Sequence, residues 1–141
     1  CSRFGSPLAV IMLDVDYFKP YNDNYGHQAG DEVLTRLAKV LQGAANRAGD
    51  IVARYGGEEF MLVFPATDVM AARAVAVRIQ QALERESIPH EYSGVSKWIT
   101  VSQGLAYARP DERLSSRELI ARVDEALYGA KAEGRNTIKA A

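Results

Sequence analysis

One cysteine in 141 residues, Cys1 at the very start, excludes an internal disulfide and fits a reducing cytoplasm. An excess of one charge is missing too. With 17 Lys and Arg against 18 Asp and Glu, net charge −1, there is no general attraction to nucleic acid or to an anionic membrane, so any phosphate must be met by a few placed groups. No apolar run approaches the roughly 20 residues of a membrane span, and no signal peptide is present. Internal repeats, low-complexity tracts and dividing linkers are lacking as well. What remains is 48% hydrophobic and 25% charged, the composition of a soluble globular protein of one domain, residues 1–141, long enough to bury a core. The opening, Cys1-Ser2-Arg3-Phe4-Gly5, runs almost straight into a first strand, which reads as a piece of a longer protein.

Patterning assigns the elements. Residues 8–14 are continuously apolar between Pro7 and Asp14, a buried strand. Lys19 to His27 is polar and turn-rich. From Gly30 to Ala45 a helix buries Val33, Leu34, Leu37, Val40, Leu41 and Ala44, with Asp31 and Glu32 in its first turn. A hairpin over 51–64 turns at Gly56-Gly57, where a tight turn wants positive φ at both positions. A helix from Asp68 to Glu86 carries Ala71, Ala74, Val75, Arg78, Ile79, Ala82 and Leu83 at helical spacing, and 98–107 alternates as a strand. Ser115 or Ser116 caps a last helix with Leu119, Ile120, Val123, Ala126, Leu127 and Ala130. Gly134 stops it, and 137–139 forms a closing strand. Strands interleaved with amphipathic helices give an α/β (α+β) layer, and the hairpin makes the sheet mixed or mostly antiparallel.

Two acidic pairs carry the chemistry. Asp14 and Asp16 lie two apart, so in extended backbone they share a face, and Glu58 and Glu59 sit on the hairpin tip. Carboxylates ending neighbouring strands repel unless a cation lies between them, and oxygen donors with room for phosphate and water suit Mg²⁺. Such an ion serves nucleotidyl transfer. Asn22 and Asp31 form a second constellation. An ionised carboxylate accepts from the N1–H and N2 amine of guanine, whereas adenine offers an acceptor at N1. Read alone, Asp31 is a helix acid and His27 a structural histidine. Lys131 and Arg135 either complement a helix C-terminus or reach phosphate oxygens, and spacing does not choose.

Asp14-Val15-Asp16-Tyr17-Phe18-Lys19, Asn22-Asp23, Gly26-His27-Gln28-Ala29-Gly30-Asp31, Arg54-Tyr55-Gly56-Gly57-Glu58-Glu59-Phe60 and Ala126 through Asn136 resemble the GGDEF domain of diguanylate cyclases, in order over nearly the whole chain. The resemblance implies a central five-stranded sheet wrapped by helices, related to the palm of class III nucleotidyl cyclases and some polymerases. It implies condensation of two GTP into cyclic di-GMP with release of two pyrophosphates, by a homodimer of domains facing across a two-fold axis. Mg²⁺ (or Mn²⁺) would be held by Asp14, the Val15 carbonyl and Glu58, with Asp16 as a second-metal ligand, and Glu59 would help activate the 3′-hydroxyl or support the metal site. Asn22 and Asp31 would read guanine, Gly56 and Gly57 would admit the nucleotide, and Phe18, Lys19, Lys131 and Arg135 would contact phosphates. Arg47-Ala48-Gly49-Asp50 resembles the family's RxxD product-inhibition site, which Arg78 would complete. The family's Asp-x-Leu-Thr-Gly-Leu-x-Asn-Arg stretch before the first strand has no counterpart, nor has an upstream sensory domain. A catalytically silent receptor for cyclic di-GMP or allosteric GTP sensor, and a purine cyclase making a mixed or adenine-based product, are the alternative readings.

Overall fold

The computed structural model describes residues 7–111 and 114–141; Cys1 and the rest of the opening lie outside them. Among the described residues the chain runs β1 (Leu8–Val15), α1 (Phe18–Tyr25), α2 (His27–Ala44), β2 (Ile51–Arg54), β3 (Glu59–Pro65), α3 (Val69–Glu86), β4 (Val101–Ala108), α4 (Ser116–Ala132) and β5 (Ile138–Ala140). The apolar run ahead of Asp14 becomes the middle of one sheet, ordered β2-β3-β1-β4-β5. β1 pairs antiparallel with β3 and β4, β2 is antiparallel to β3, and β5 runs parallel to β4. The expected mostly antiparallel five-stranded sheet with flanking helices is therefore what forms.

Because strand side chains alternate, β1 feeds two cores. Ala9, Ile11, Leu13 and Val15 pack with residues of α1, α2 and α3, among them Tyr21, Val33, Leu37 and Ile79. Val10 and Met12 face the other way, under Leu119, Val123 and Leu127 of α4. Gly104 lets α4 settle directly on β4: a Cβ there would stand 2.4 Å from the Leu127 nitrogen and 2.6 Å from the Val123 oxygen, both backbone. Asp68 caps α3 by accepting from the Ala71 N–H at 2.8 Å, and Ser115 and Glu118 close a reciprocal capping box on α4.

Four expectations need correction. The stretch after Lys19 is not a loop but α1, with Pro20 in the first turn, where a missing N–H costs no helical bond. Helix α2 starts at His27, so Asp31 falls in its second turn and no acid occupies the first. The buried face of α3 is Ala72, Val75, Ala76, Ile79 and Leu83, leaving Ala71, Ala74 and Arg78 exposed; a helix this rich in alanine fits more than one phase. Strand β4 begins at Val101 rather than residue 98, because Trp98 makes an isolated bridge to Pro89 and Ile99 donates to the Ile88 carbonyl at 2.8 Å. Gly26, at φ 93°, makes the corner between α1 and α2, a backbone conformation suited to glycine.

Candidate active site at the end of the central strand

On the face covered by α4, hydrophobic residues give way to acids at one end of the sheet. β1 presents Val10, Met12 and then Asp14; β3, running the opposite way, presents Val63, Met61 and then Glu59. Register sets Asp14 and Glu59 directly opposite one another, a placement that destabilises like charges. Burial, above all, raises the Asp14 carboxyl above its ordinary value, against the lowering effect of Lys131. Glu59 is raised likewise, by burial first and then by the charge of Asp14. The last turn of α4 brings the Lys131 ammonium onto Asp14 Oδ2 as an ion pair. Asp14 Oδ1 is buried and has no hydrogen-bond partner.

The end of α4 closes on its own main chain. Its carbonyls are met by main-chain donors, Glu133 N–H to Gly129, Gly134 N–H to Lys131 and Arg135 N–H to Ala130, at 3.0–3.3 Å. The Lys131 ammonium turns to Asp14, and the charge of Arg135 also lowers the Asp14 carboxyl.

Asp16 shares the α4 face but is employed differently. It is 1% exposed, and its carboxylate accepts from Thr100 Oγ1 at 2.8 Å, Ser102 Oγ at 2.6 Å and the Asn136 N–H at 2.9 Å. It ties the end of β1 to β4 and to the turn after α4. Among the described residues no group of three His, Cys, Asp or Glu side chains is arranged to hold a metal ion. Asp14 and Glu59 face each other at this end, with Asp16 and the Glu58 main chain beside them.

Glu58 belongs to a four-residue loop, Tyr55 to Glu58, between β2 and β3, and its carbonyl accepts from the Val15 N–H at 3.3 Å. The loop is not the expected two-residue turn: neither Gly56 nor Gly57 has positive φ. Tyr55 and Gly56 N–H groups both donate to the Glu59 carbonyl, at 2.8 and 3.2 Å. The Arg54 guanidinium folds over the Gly56 and Gly57 carbonyls, at 2.6 Å from Nη2 to the latter. A Cβ at Gly56 would lie 3.2 Å from Glu59 Oε1, a close contact that a small shift of that carboxylate would relieve.

Beside this loop a cavity of about 370 Å³ is lined by Phe18, Lys19, Asn22, Asp31, Gly57 and Glu58, together with Asp23, His27, Leu34 and Arg54. Asn22 Oδ1 is buried without a partner and leans on Gly30, where a Cβ would come within 1.8 Å of it. Phe18 lines this cavity, with its ring largely buried and stacked on Tyr21. Lys19 is exposed and pairs with Asp23 at 3.0 Å. His27 is exposed at the head of α2, lining this cavity; the satisfied, buried histidine of the chain is His90.

The family model for "Diguanylate cyclase, GGDEF domain" matches residues 1–137. The chain belongs to the GGDEF family. This GGDEF domain is 42% identical over 131 residues to diguanylate cyclase A of Treponema denticola, covering 93% of the domain and 34% of that protein. It is 44% identical over 133 residues to diguanylate cyclase DgcM of Escherichia coli K12, covering 94% of the domain and 30% of that protein. The chain thus spans about a third of the length of these relatives. Among solved structures it resembles the GGDEF domain of Caulobacter crescentus DgcB, determined in complex with c-di-GMP, at TM-score 0.84 and 34% identity, covering 96% of the domain and 78% of that chain. The active GGEEF domain of a Vibrio cholerae diguanylate cyclase matches at TM-score 0.81 and 34% identity, over 96% of the domain and 83% of that chain.

The RxxD residues of the GGDEF domain lie away from this end, in the turn before β2. Arg47 and Asp50 form no ion pair with each other. Instead Asp50 Oδ2 accepts from the Arg47 N–H at 3.0 Å, closing a turn that contains Gly49 at φ 90°, and the Arg47 guanidinium donates to Thr67 Oγ1 at 3.3 Å. Arg78 is exposed on the neighbouring α3, and no hydrogen bond among the described residues joins it to Arg47 or Asp50. Sequence reasoning missed Thr100 and Ser102, which hold the Asp16 carboxylate, and His90, which holds the Tyr17 carbonyl, because their role depends on contacts across 73 to 86 residues of chain.

Proposed function

We propose that this domain is a diguanylate cyclase half-site: it binds one GTP and, opposite a second copy, condenses two GTP into cyclic di-GMP and two pyrophosphates. The observation that carries this reading is the meeting of Asp14, Glu59 and Lys131 at the sheet end, next to a cavity lined by Asn22 and Asp31. Guanine sits in that cavity, with Asp31 accepting from its N1–H and N2 amine and Asn22 bonding another edge. Lys131 and Arg135 donate to the phosphates, and the backbone at Gly57 admits them. Each 3′-oxygen forms a bond to the α-phosphorus of the opposite nucleotide, the α–β bridge P–O bond breaks, and pyrophosphate leaves.

The residues fit a hard divalent cation. Asp14 Oδ1 is a buried carboxylate oxygen with no partner, and Glu58 and the Val15 carbonyl add oxygen donors of the kind Mg²⁺ prefers. When bound, Mg²⁺ (or Mn²⁺) supplies acidity to the attacking hydroxyl and offsets charge on the leaving phosphate. Glu59, raised by burial, accepts the hydroxyl proton at its carboxylate. The saturated hydrogen bonding of Asp16 favours a structural role for it over that of a second ligand. Arg47, Asp50 and Arg78 are the candidates for product inhibition. Their support is that the arginines face outward while Asp50 is bound to its own turn. Solved relatives include c-di-GMP complexes, and GTP availability assigns the reaction to the cytoplasm.

The test is chromatographic analysis of product after incubating the chain with GTP and Mg²⁺ at rising protein concentration. Cyclic di-GMP is expected, at a rate per chain that climbs with concentration and disappears in Glu58→Ala. Tight cyclic di-GMP binding without synthesis, from a chain held dimeric by a fused coiled coil, would overturn the cyclase reading in favour of a receptor. Equal use of ATP would overturn guanine selection by Asn22 and Asp31.

A further inference from the structure

Tyr17 stands between Asp16 and Phe18 with a left-handed backbone, φ 53° and ψ 39°, and contacts on both faces account for a conformation unusual in a residue bearing a Cβ. From behind, its carbonyl accepts from His90 Nε2 at 2.9 Å, while Nδ1 of the same ring accepts from the Tyr92 N–H at 3.3 Å. Both ring nitrogens are thereby engaged and the proton is assigned to Nε2. His90, 1% exposed, is wedged edge-on against Tyr21 and Tyr25, with ring centroids 5.1 and 6.2 Å away. The phenol end rests on Gly94, where a Cβ would come within 2.7 Å of the hydroxyl oxygen. In front, the Arg135 guanidinium carbon lies 4.9 Å from the ring centroid, inside cation–π range. Arg135 and Asn136 are themselves left-handed, at φ 68° and 47°. Two consecutive residues thus clamp two consecutive residues: Asp16 holds the Asn136 main chain, and Tyr17 holds the Arg135 side chain.

We propose that Tyr17 is a positioning residue for the nucleotide's phosphates: its ring, resting on Gly94 and carried on a backbone held by His90, fixes the Arg135 guanidinium near Asp14 where the triphosphate arrives. This rests on the assignment of Arg135 to phosphate made under the proposed function. The π face is what matters. Phenylalanine keeps it, whereas leucine keeps bulk and loses it.

Calorimetric titration with GTP and with guanosine, which reads the base cavity alone, tests this on the wild-type chain, Tyr17→Phe, Tyr17→Leu, Arg135→Ala and the Tyr17→Leu/Arg135→Ala double variant. Tyr17→Leu is expected to weaken GTP binding by about 2- to 30-fold, the span of cation–π strengths, and to leave guanosine unchanged. Tyr17→Phe stays within about twofold of wild type, and the double variant binds no more weakly than Arg135→Ala. Wild-type GTP affinity in Tyr17→Leu alongside a weakened Arg135→Ala overturns the role of Tyr17 alone, as do equal losses for GTP and guanosine or additive losses in the double variant. Wild-type affinity in Arg135→Ala, or no GTP binding by the wild type, overturns the phosphate site itself. Should Tyr17→Leu lose its circular-dichroism melt, the Arg135 Nε–H resonance of the wild type decides: a ring-current upfield shift supports the stacking, and an unshifted resonance overturns it.

Discussion

Glu59 stands under two opposed demands. Its place opposite Asp14 puts two acids side by side at a partly buried sheet end, which weakens the fold, yet the same crowding makes the carboxylate a better proton acceptor. Glu59→Gln is therefore expected to cut cyclic di-GMP synthesis by at least about 100-fold, with a melting midpoint no lower than that of the wild type. Because burial and the Asp14 charge raise Glu59 above its ordinary 4.5, the folded chain takes up this proton more readily than the unfolded one. Its contribution to stability is complete below about 4.5 and is lost as pH rises through the raised value. In chelator-treated samples the variant should gain stability over the wild type as pH rises above about 4.5, and the two should converge in acid. A gap that widens in acid would contradict the assignment.

At the scale of elements, α4 and β4 depend on each other through Gly104. A methyl group on Gly104 would meet the Leu127 nitrogen at 2.4 Å and the Val123 oxygen at 2.6 Å. Both are main-chain atoms, so no side-chain rotation can make room, and α4 would have to lift from the sheet. Gly104→Ala is expected to destabilise by about 1–3 kcal/mol or more, read as a lower denaturation midpoint in urea, and to loosen the Lys131–Asp14 pair with it. The sequence makes most elements legible, since β1, α4 and the hairpin follow their periodicities and caps. It hides α1. Phe18, Tyr21 and Tyr25 stand at helical spacing, and the first two are buried, but Pro20, Asn22, Asp23 and Asn24 between them carry turn chemistry. The tertiary contact of those aromatic rings with one another and with His90 decides the matter. For Gly56 and Gly57 the composition suggests the turn but not its geometry, which Arg54 sets by gripping two carbonyls.

For the molecule as a whole, the two groups of arginine-bearing residues separate cleanly. Arg135 joins the acids at the sheet end, while Arg47 lies in the turn before β2, against Thr67 at the approach to α3. Arg47→Ala is expected to remove the slowing of synthesis by accumulated product and to leave the initial rate within about twofold, measured as progress curves with and without added cyclic di-GMP; unchanged inhibition would exclude this turn as the product site. The convergence of acids from two strand ends at one edge of the sheet is readable from the strand pattern, whereas the support beneath it is not, because Asp16, Thr100, Ser102 and Asn136 meet only once the chain is folded. The sheet order has one more consequence. Asp14 hangs from a strand bonded on both sides, but Glu58 hangs from a loop whose outer strand, β2, is four residues long and is bonded to β3 alone. The two carboxylates therefore stand on unequally supported backbone, one held by a strand on each side and the other by a loop whose tie to β1 is the bond from the Val15 N–H to the Glu58 carbonyl.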